Sequence, residues 1–203
     1  MRYPKQLLVA LLLTMTCMRL QAADAAREPS ATARSLCDAL IAAMKQGSTL
    51  TFAARDRQLA PEIRQDFDLA LMSRIIVGPP WRGLAPTDKQ QIVDAFSDYS
   101  VASYAQRFKS YSGERFEVDP AAIRNPNGDC VVHTKLYTGG PDPVQLDYLM
   151  RLSEGRWRII DVYLSGTISE LAARRSEYSL VMRTGGAPAL VDLLRKKLLE
   201  LGN

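Results

Sequence analysis

The sequence predicts an α+β fold in which helices pack on one side of an antiparallel sheet. Three observations predict it. From Leu36 to Tyr111 the apolar residues return every three or four positions, which is the helical period. From Arg115 to Leu164 the pattern changes to period two, broken by Gly and Pro turn signals at 138–143 and 154–155. After Ile168 the helical spacing comes back. Helices, then a strand meander, then helices again is the order that lays one helical layer over one sheet.

The first residues stand apart from this pattern. Arg2 and Lys5 form a short positive region, Leu7 to Cys17 an apolar run, and Ala22, Ala23 and Ala25 a stretch of small residues. That three-part layout predicts a secretory signal peptide over residues 1–25 and a single mature domain over 26–203. The apolar run is shorter than the roughly 20 residues a membrane-spanning helix needs, and Arg19 follows it at once. Cys17 is a poor lipoprotein site, because Met15 and Thr16 precede it where small residues are needed. Export puts the mature chain where disulfides can persist. Cys37 and Cys130 are then either a bridge or two small buried thiols.

The net charge of +4 comes from 26 basic and 22 acidic residues. With a cut after Ala22, losing Arg2, Lys5 and Arg19 leaves 23 of the 26 basic residues against 22 acidic ones, a net +1. A nucleic-acid partner needs a basic patch, and this balance supplies none.

The mature chain opens with Leu36, Leu40, Ile41 and Met44 at helical spacing, with Ser30 or Thr32 as N-cap and Gly47 as the stop. Thr51 to Leu59 predicts a short second helix. Pro61 then opens a third, which carries Phe67, Leu71, Met72, Ile75 and Ile76 to a stop at Gly78-Pro79-Pro80. A long helix is expected from about Pro86 to Tyr111, with an unusually aromatic stripe of Phe96, Tyr104, Phe108 and Tyr111. Strands follow at 115–118, 130–137, 144–152 and 156–164. Cys130, Val132, Thr134 and Leu136 share one face, Val144, Leu146, Tyr148 and Met150 the next, and Ile160 and Val162 the last. Two helices end the chain, one over about 168–183 and one carrying Leu190, Leu193, Leu194, Leu198 and Leu201, with Gly185-Gly186 between them.

No catalytic pattern is visible. There is no Gly-x-Ser-x-Gly elbow, P-loop or Rossmann glycine run. The one histidine, His133, falls on the polar strand face without a visible partner, and one His with two distant Cys does not make a zinc site. What the chain offers is apolar surface on both halves of the fold. Packed tightly, that surface is a core; held apart, it lines a dry cavity. Periodicity alone does not choose between the two.

From Phe67 to Leu201 the chain resembles the Mla-type periplasmic lipid-binding proteins, also called the toluene-tolerance family. The matching pieces, in order, are FDLALMSRIIVG (67–78), then Trp81, Leu84 and Pro86, then 96–104, YSGERFEV (111–118) and LDYLMR (146–151). WRIIDVYLSGTIS (157–169), Arg175, Tyr178 and GGAPALVDLLRKKL (185–198) complete the set. Where the family often has Ser or Thr before the proline of the long helix, this chain has Ala85, with Thr87 and Gln90 as a possible capping box one turn on. VGPPW, ISELAARRSEY and GGAPAL resemble the hopanoid-associated branch.

The resemblance implies a curved sheet of the nuclear-transport-factor-2 type with added helices and a deep acyl-chain pocket. It also implies a phospholipid or hopanoid-type lipid as cargo rather than a cofactor. The implied partners are an inner-membrane ABC transporter complex and an outer-membrane acceptor. On that fold the expected lipid contacts are Phe96, Tyr104 and Phe108 of the long helix, facing Val132, Leu146, Tyr148, Met150, Ile160 and Val162 of the sheet. The rival reading is a periplasmic adaptor of the same fold with a solid core. A periplasmic hydrolase ranks third, since nothing groups an acid, a base and an oxyanion donor.

Overall fold

Pro29 opens the first helix, α1 (Pro29–Lys45), at a position where its missing N–H costs nothing. Glu28 is the residue before it, so the expected caps Ser30 and Thr32 lie inside the helix and are buried. The structure is a computed structural model and describes residues 28–47 and 49–202. The expected signal peptide, 1–25, falls outside the described residues.

Pro61 does not start a helix. It sits inside α2 (Phe52–Asp66), which Thr51 caps by accepting a hydrogen bond from the Ala54 amide. Pro61 is tolerated because it and Arg57, whose carbonyl it leaves without a donor, are both exposed to water. The break falls instead at Phe67, which is extended and pairs in parallel with Ile159. The Asp68 amide donates to the Ile159 carbonyl, and the Asp68 carboxylate caps α3 (Leu69–Val77) through the Leu71 amide. A contact more than ninety residues away in sequence therefore divides the two helices.

After a 3-10 turn at Pro79–Gly83 comes the long helix α4 (Pro86–Arg107). It is one turn shorter than expected, with Phe108 as its C-cap. Its N-cap Ala85 makes no side-chain bond, and Gln90 bonds to Asp94 rather than completing a capping box with Thr87. The back of α4 is built of small residues. Ala95, Ala102 and Ala105 are buried there, and Ser97 and Ser103 donate to the carbonyls of Val93 and Tyr99. Buried Arg55 clamps α2 to this surface by donating to the Ala105 carbonyl at 2.5 Å.

The sheet has six strands: β1 (Arg115–Val118), β2 (Ile123–Arg124), β3 (Cys130–Tyr137), β4 (Val144–Ser153), β5 (Arg156–Leu164) and β6 (Ile168–Ser169). Its order is β1-β3-β4-β5-β6, with β2 also on β3, and every pairing is antiparallel. β2 and β6 are two-residue strands, too short to show a period. Val132, Tyr148 and Val162 stand opposite one another across three strands, as do Thr134, Leu146, Leu164 and Ile168.

The register shifts between Leu149 and Met150: Leu149 pairs with Asp161 but Met150 pairs with Ile159. Ile160 is the extra residue of a β-bulge, and beyond it Ile159 and Trp157 take the inward face. Ile160 and Val162 therefore do not share a face, contrary to strict alternation.

The last helix, α5 (Glu170–Gly202), begins after β6, not at Ile168. Asp161 sets that start by accepting from the Val162 amide, the Leu171 amide and the Ser169 hydroxyl. The expected gap between two C-terminal helices is a kink at Gly186, whose φ of 65° a side chain would disfavour. Among the described residues, all five helices share one apolar cluster with the inward face of the sheet.

Candidate functional site

α4 lies against α2, α3 and α5, and it approaches the sheet chiefly through side chains. The space left between them is a cleft of about 220 Å³. Tyr104 and Phe108 of α4 form one wall, and Leu136, Val144, Leu146, Tyr148, Val162 and Leu164 of β3, β4 and β5 form the other. Sheet residues alternate faces, so these six are the inward set of three adjacent strands. At its open end the cleft runs out onto apolar surface: Val144 is 41% exposed, and Ile168, beside Leu164, is 58% exposed.

A column of rings crosses the interior. Phe67 meets Tyr104 edge-on at 5.4 Å, Tyr104 stacks on Phe108 at 5.8 Å, and Phe108 tilts on Phe116 at 6.2 Å. Behind Tyr104 lies a second, smaller cavity of about 20 Å³, lined by Phe67, Met72, Phe96, Ser100, Leu171 and Arg174. Tyr104, Val162 and Glu170 line both spaces.

Of the residues expected to contact lipid, Tyr104, Phe108, Leu146, Tyr148 and Val162 meet at the outer cleft. Phe96 reaches only the inner cavity. Val132 and Met150 are fully buried in the packed cluster beneath, and Ile160 lies on the bulge outside it. Leu136, Val144 and Leu164 were legible from the two-residue period as members of the same face. Arg107 and Glu170 carried no sequence signal, because their meeting at the cleft wall joins the last turn of α4 to the first turn of α5 at 2.5 Å.

The polar chemistry of the cleft is modest. Burial, helped by the Glu170 carboxylate, pushes the Tyr104 hydroxyl's pKa up, and burial raises that of Tyr148 well above the ordinary value. Both phenols therefore stay neutral at any physiological pH. The Tyr148 phenol and the Cys37 thiol are neighbours that act on each other, Tyr148 lowering the Cys37 pKa and Cys37 raising that of Tyr148, while burial dominates both. Cys37 and Cys130 are free buried thiols, not a bridge, and burial holds Cys37 at a pKa of about 12.

His133 is on the outer face of the sheet, away from the cleft. It does have a partner: its Nδ1 stands 3.0 Å from the buried Asp147 carboxylate, within ion-pair distance but off the hydrogen-bonding direction. Among the described residues, no group of three or more His, Cys, Asp or Glu is placed to hold a metal ion.

The fold and the cleft together define a class: an α+β protein with an apolar site held open between one long helix and a curved antiparallel sheet. The chain belongs to the MlaC protein family, whose pattern matches residues 34–196. A solved phospholipid-binding protein from Ralstonia solanacearum, in complex with a phospholipid, has the same fold. The two agree with a TM-score of 0.75 at 22% identity, over 87% of this chain and 99% of that one. No curated protein matches the chain.

Proposed function

We propose that the chain is a periplasmic lipid carrier, the soluble component of an ABC transport system that moves phospholipid or hopanoid-type lipid between inner and outer membranes. One observation carries this reading: the apolar cleft between α4 and the inward face of β3, β4 and β5, open at one end. Membership of the MlaC family and the phospholipid complex of the Ralstonia protein support it.

The physics suits a carrier. Each acyl methylene exposed to water costs about 0.8 kcal/mol. A lipid with two long chains therefore meets a barrier of more than about 10 kcal/mol when it leaves a membrane alone. Walls of Leu146, Tyr148, Val162, Tyr104 and Phe108 hide the tails and remove most of that cost, and the headgroup stays in water at the Val144–Ile168 rim. Phe96, Val132, Met150 and Ile160 are contacts only if the sheet moves away from the helices to admit cargo. No catalytic group is needed.

Two measurements test the proposal. Lipid extracted from protein purified from its native periplasm, and identified by mass spectrometry, should be present in stoichiometric amount; its nature separates a diacyl lipid from a polycyclic one. A lipid-free protein would favour the adaptor reading. The mature protein should begin between Ala23 and Ala26 and appear in the osmotic-shock fraction, whereas intact Met1 on membrane-bound protein would refute export.

A further inference from the structure

We infer that Tyr104 is the chain-length ruler of the cleft, the side chain that stops an acyl tail and so selects which lipids the protein holds; this rests on the lipid-carrier reading. The two cavities lie in line along one face of α4. Phe108 belongs to the outer cavity, Tyr104 to both, and Ser100 and Phe96 to the inner one. Phe96 lies two turns of α4 from Tyr104, about 12 Å along the helix axis, so the inner space of about 20 Å³ lies deeper along the helix than the outer one. Tyr104, Val162 and Glu170 line both spaces, and the Tyr104 ring is the aromatic side chain shared by the two.

That ring is held in place. It stacks on Phe108, nearly parallel at 12°, and meets the edge of Phe67 on its other side. It therefore acts as a fixed stop and not a swinging door. The inner cavity, at about 20 Å³, is near the smallest space that admits one water, and a water needs polar partners there. Its charged neighbours are committed elsewhere. Asp161 is taken by two amides and the Ser169 hydroxyl, Glu170 by Arg107, and the Arg174 guanidinium lies over the rings of Tyr99 and Phe96. Apart from the Ser100 hydroxyl and the Tyr104 phenol, what faces the void is apolar: Phe67, Met72, Phe96 and Leu171. It is a continuation of the tail path that the Tyr104 ring closes off.

The test uses the mature protein and vesicles holding equal amounts of phosphatidylglycerols with dodecanoyl, tetradecanoyl, hexadecanoyl and octadecanoyl chains. Protein is re-isolated and its bound lipid quantified by mass spectrometry. Tyr104→Ala should shift the bound distribution toward longer chains, by about fourfold for each methylene newly sheltered. Tyr104→Phe keeps the ring and should match the wild type. Adding Ser100→Leu to Tyr104→Ala refills the inner space and should restore the wild-type distribution. If Tyr104→Ala does not fold, as judged by circular dichroism, Tyr104→Leu makes the same comparison. A Tyr104→Ala or Tyr104→Leu protein that binds lipid with an unchanged chain distribution overturns the ruler and leaves the carrier reading standing. Absence of lipid from the wild type as well as the variants overturns the carrier reading, and the ruler with it.

Discussion

Val162→Trp distinguishes an open cleft from a packed core at a single position. Val162 is 6% exposed and lines both cavities. The outer cavity measures about 220 Å³, and a dry cavity of about 150 Å³ already holds a benzene molecule. The indole therefore finds room, and it takes the room meant for cargo. In a closed core, overpacking costs about 1–3 kcal/mol. In a domain of this size each kcal/mol lowers the Tm by about 2–4 °C, so a core site would lose about 2–12 °C.

At the cleft we expect Val162→Trp to lose less than about 2 °C and nearly all of its bound lipid. Val132→Trp is the control. Val132 is fully buried on the same row of the sheet, opposite Tyr148, and lines neither cavity, so it should show the full overpacking cost. Thermal melts and lipid extraction on one preparation of each variant read both quantities. A Val162→Trp protein that melts as low as Val132→Trp while still carrying lipid would place Val162 in the core and refute the reasoning.

Three further outcomes follow from the side-chain chemistry. Burial raises the Cys37 thiol from 9.0 to about 12, so the unfolded chain gives up that proton first. The stability that the neutral thiol contributes is complete below pH 9.0 and is lost as pH rises toward the folded value, with Tyr104 and Tyr148 acting in the same sense. Urea titrations on either side of pH 9.0 should show the fall, and a flat profile counts against the buried thiol. Arg151→Met strips Asp129, 3% exposed, of hydrogen bonds of 2.8 and 2.7 Å, costing roughly 1–3 kcal/mol. The lower end of that range applies, because the Arg151 side chain is itself 43% exposed. Arg151 holds the Asp129 carboxyl below its usual 3.8, so the wild-type advantage is present above that pH and vanishes as pH falls through the folded value, which acid denaturation of both proteins checks. His133→Ala should leave lipid content unchanged, since His133 lies on the outer face; loss of lipid from a well-folded variant would show that the outer face takes part in loading.

Sequence reading succeeded wherever a residue's environment repeats with a local period. The inward faces of β3 and β4 follow from strict alternation, which brings Leu146 and Tyr148 to the cleft wall, while helical spacing brings Tyr104 and Phe108 to the wall opposite. It failed where one distant contact overrides the local signal. Pro61 was a strong local marker for a helix start, yet the helices divide at Phe67 because its backbone joins the sheet at Ile159. Ile160 obeyed the two-residue period on paper, yet a bulge that only strand pairing reveals removed it from the inward face.

The sequence by itself determined the α+β class, the order of helices and strands, the family resemblance and the apolar faces that border the cleft. These depend on chemistry repeated every two or four residues, which a chain carries in its own spacing. Tertiary structure alone decided that α4 stands off the sheet, that Tyr104 divides the space behind it, and that Arg107 meets Glu170 at its wall. A cavity is the distance between two surfaces, and the same apolar faces make a solid core or a cleft according to how small residues on the back of α4 let it sink into its helical neighbours.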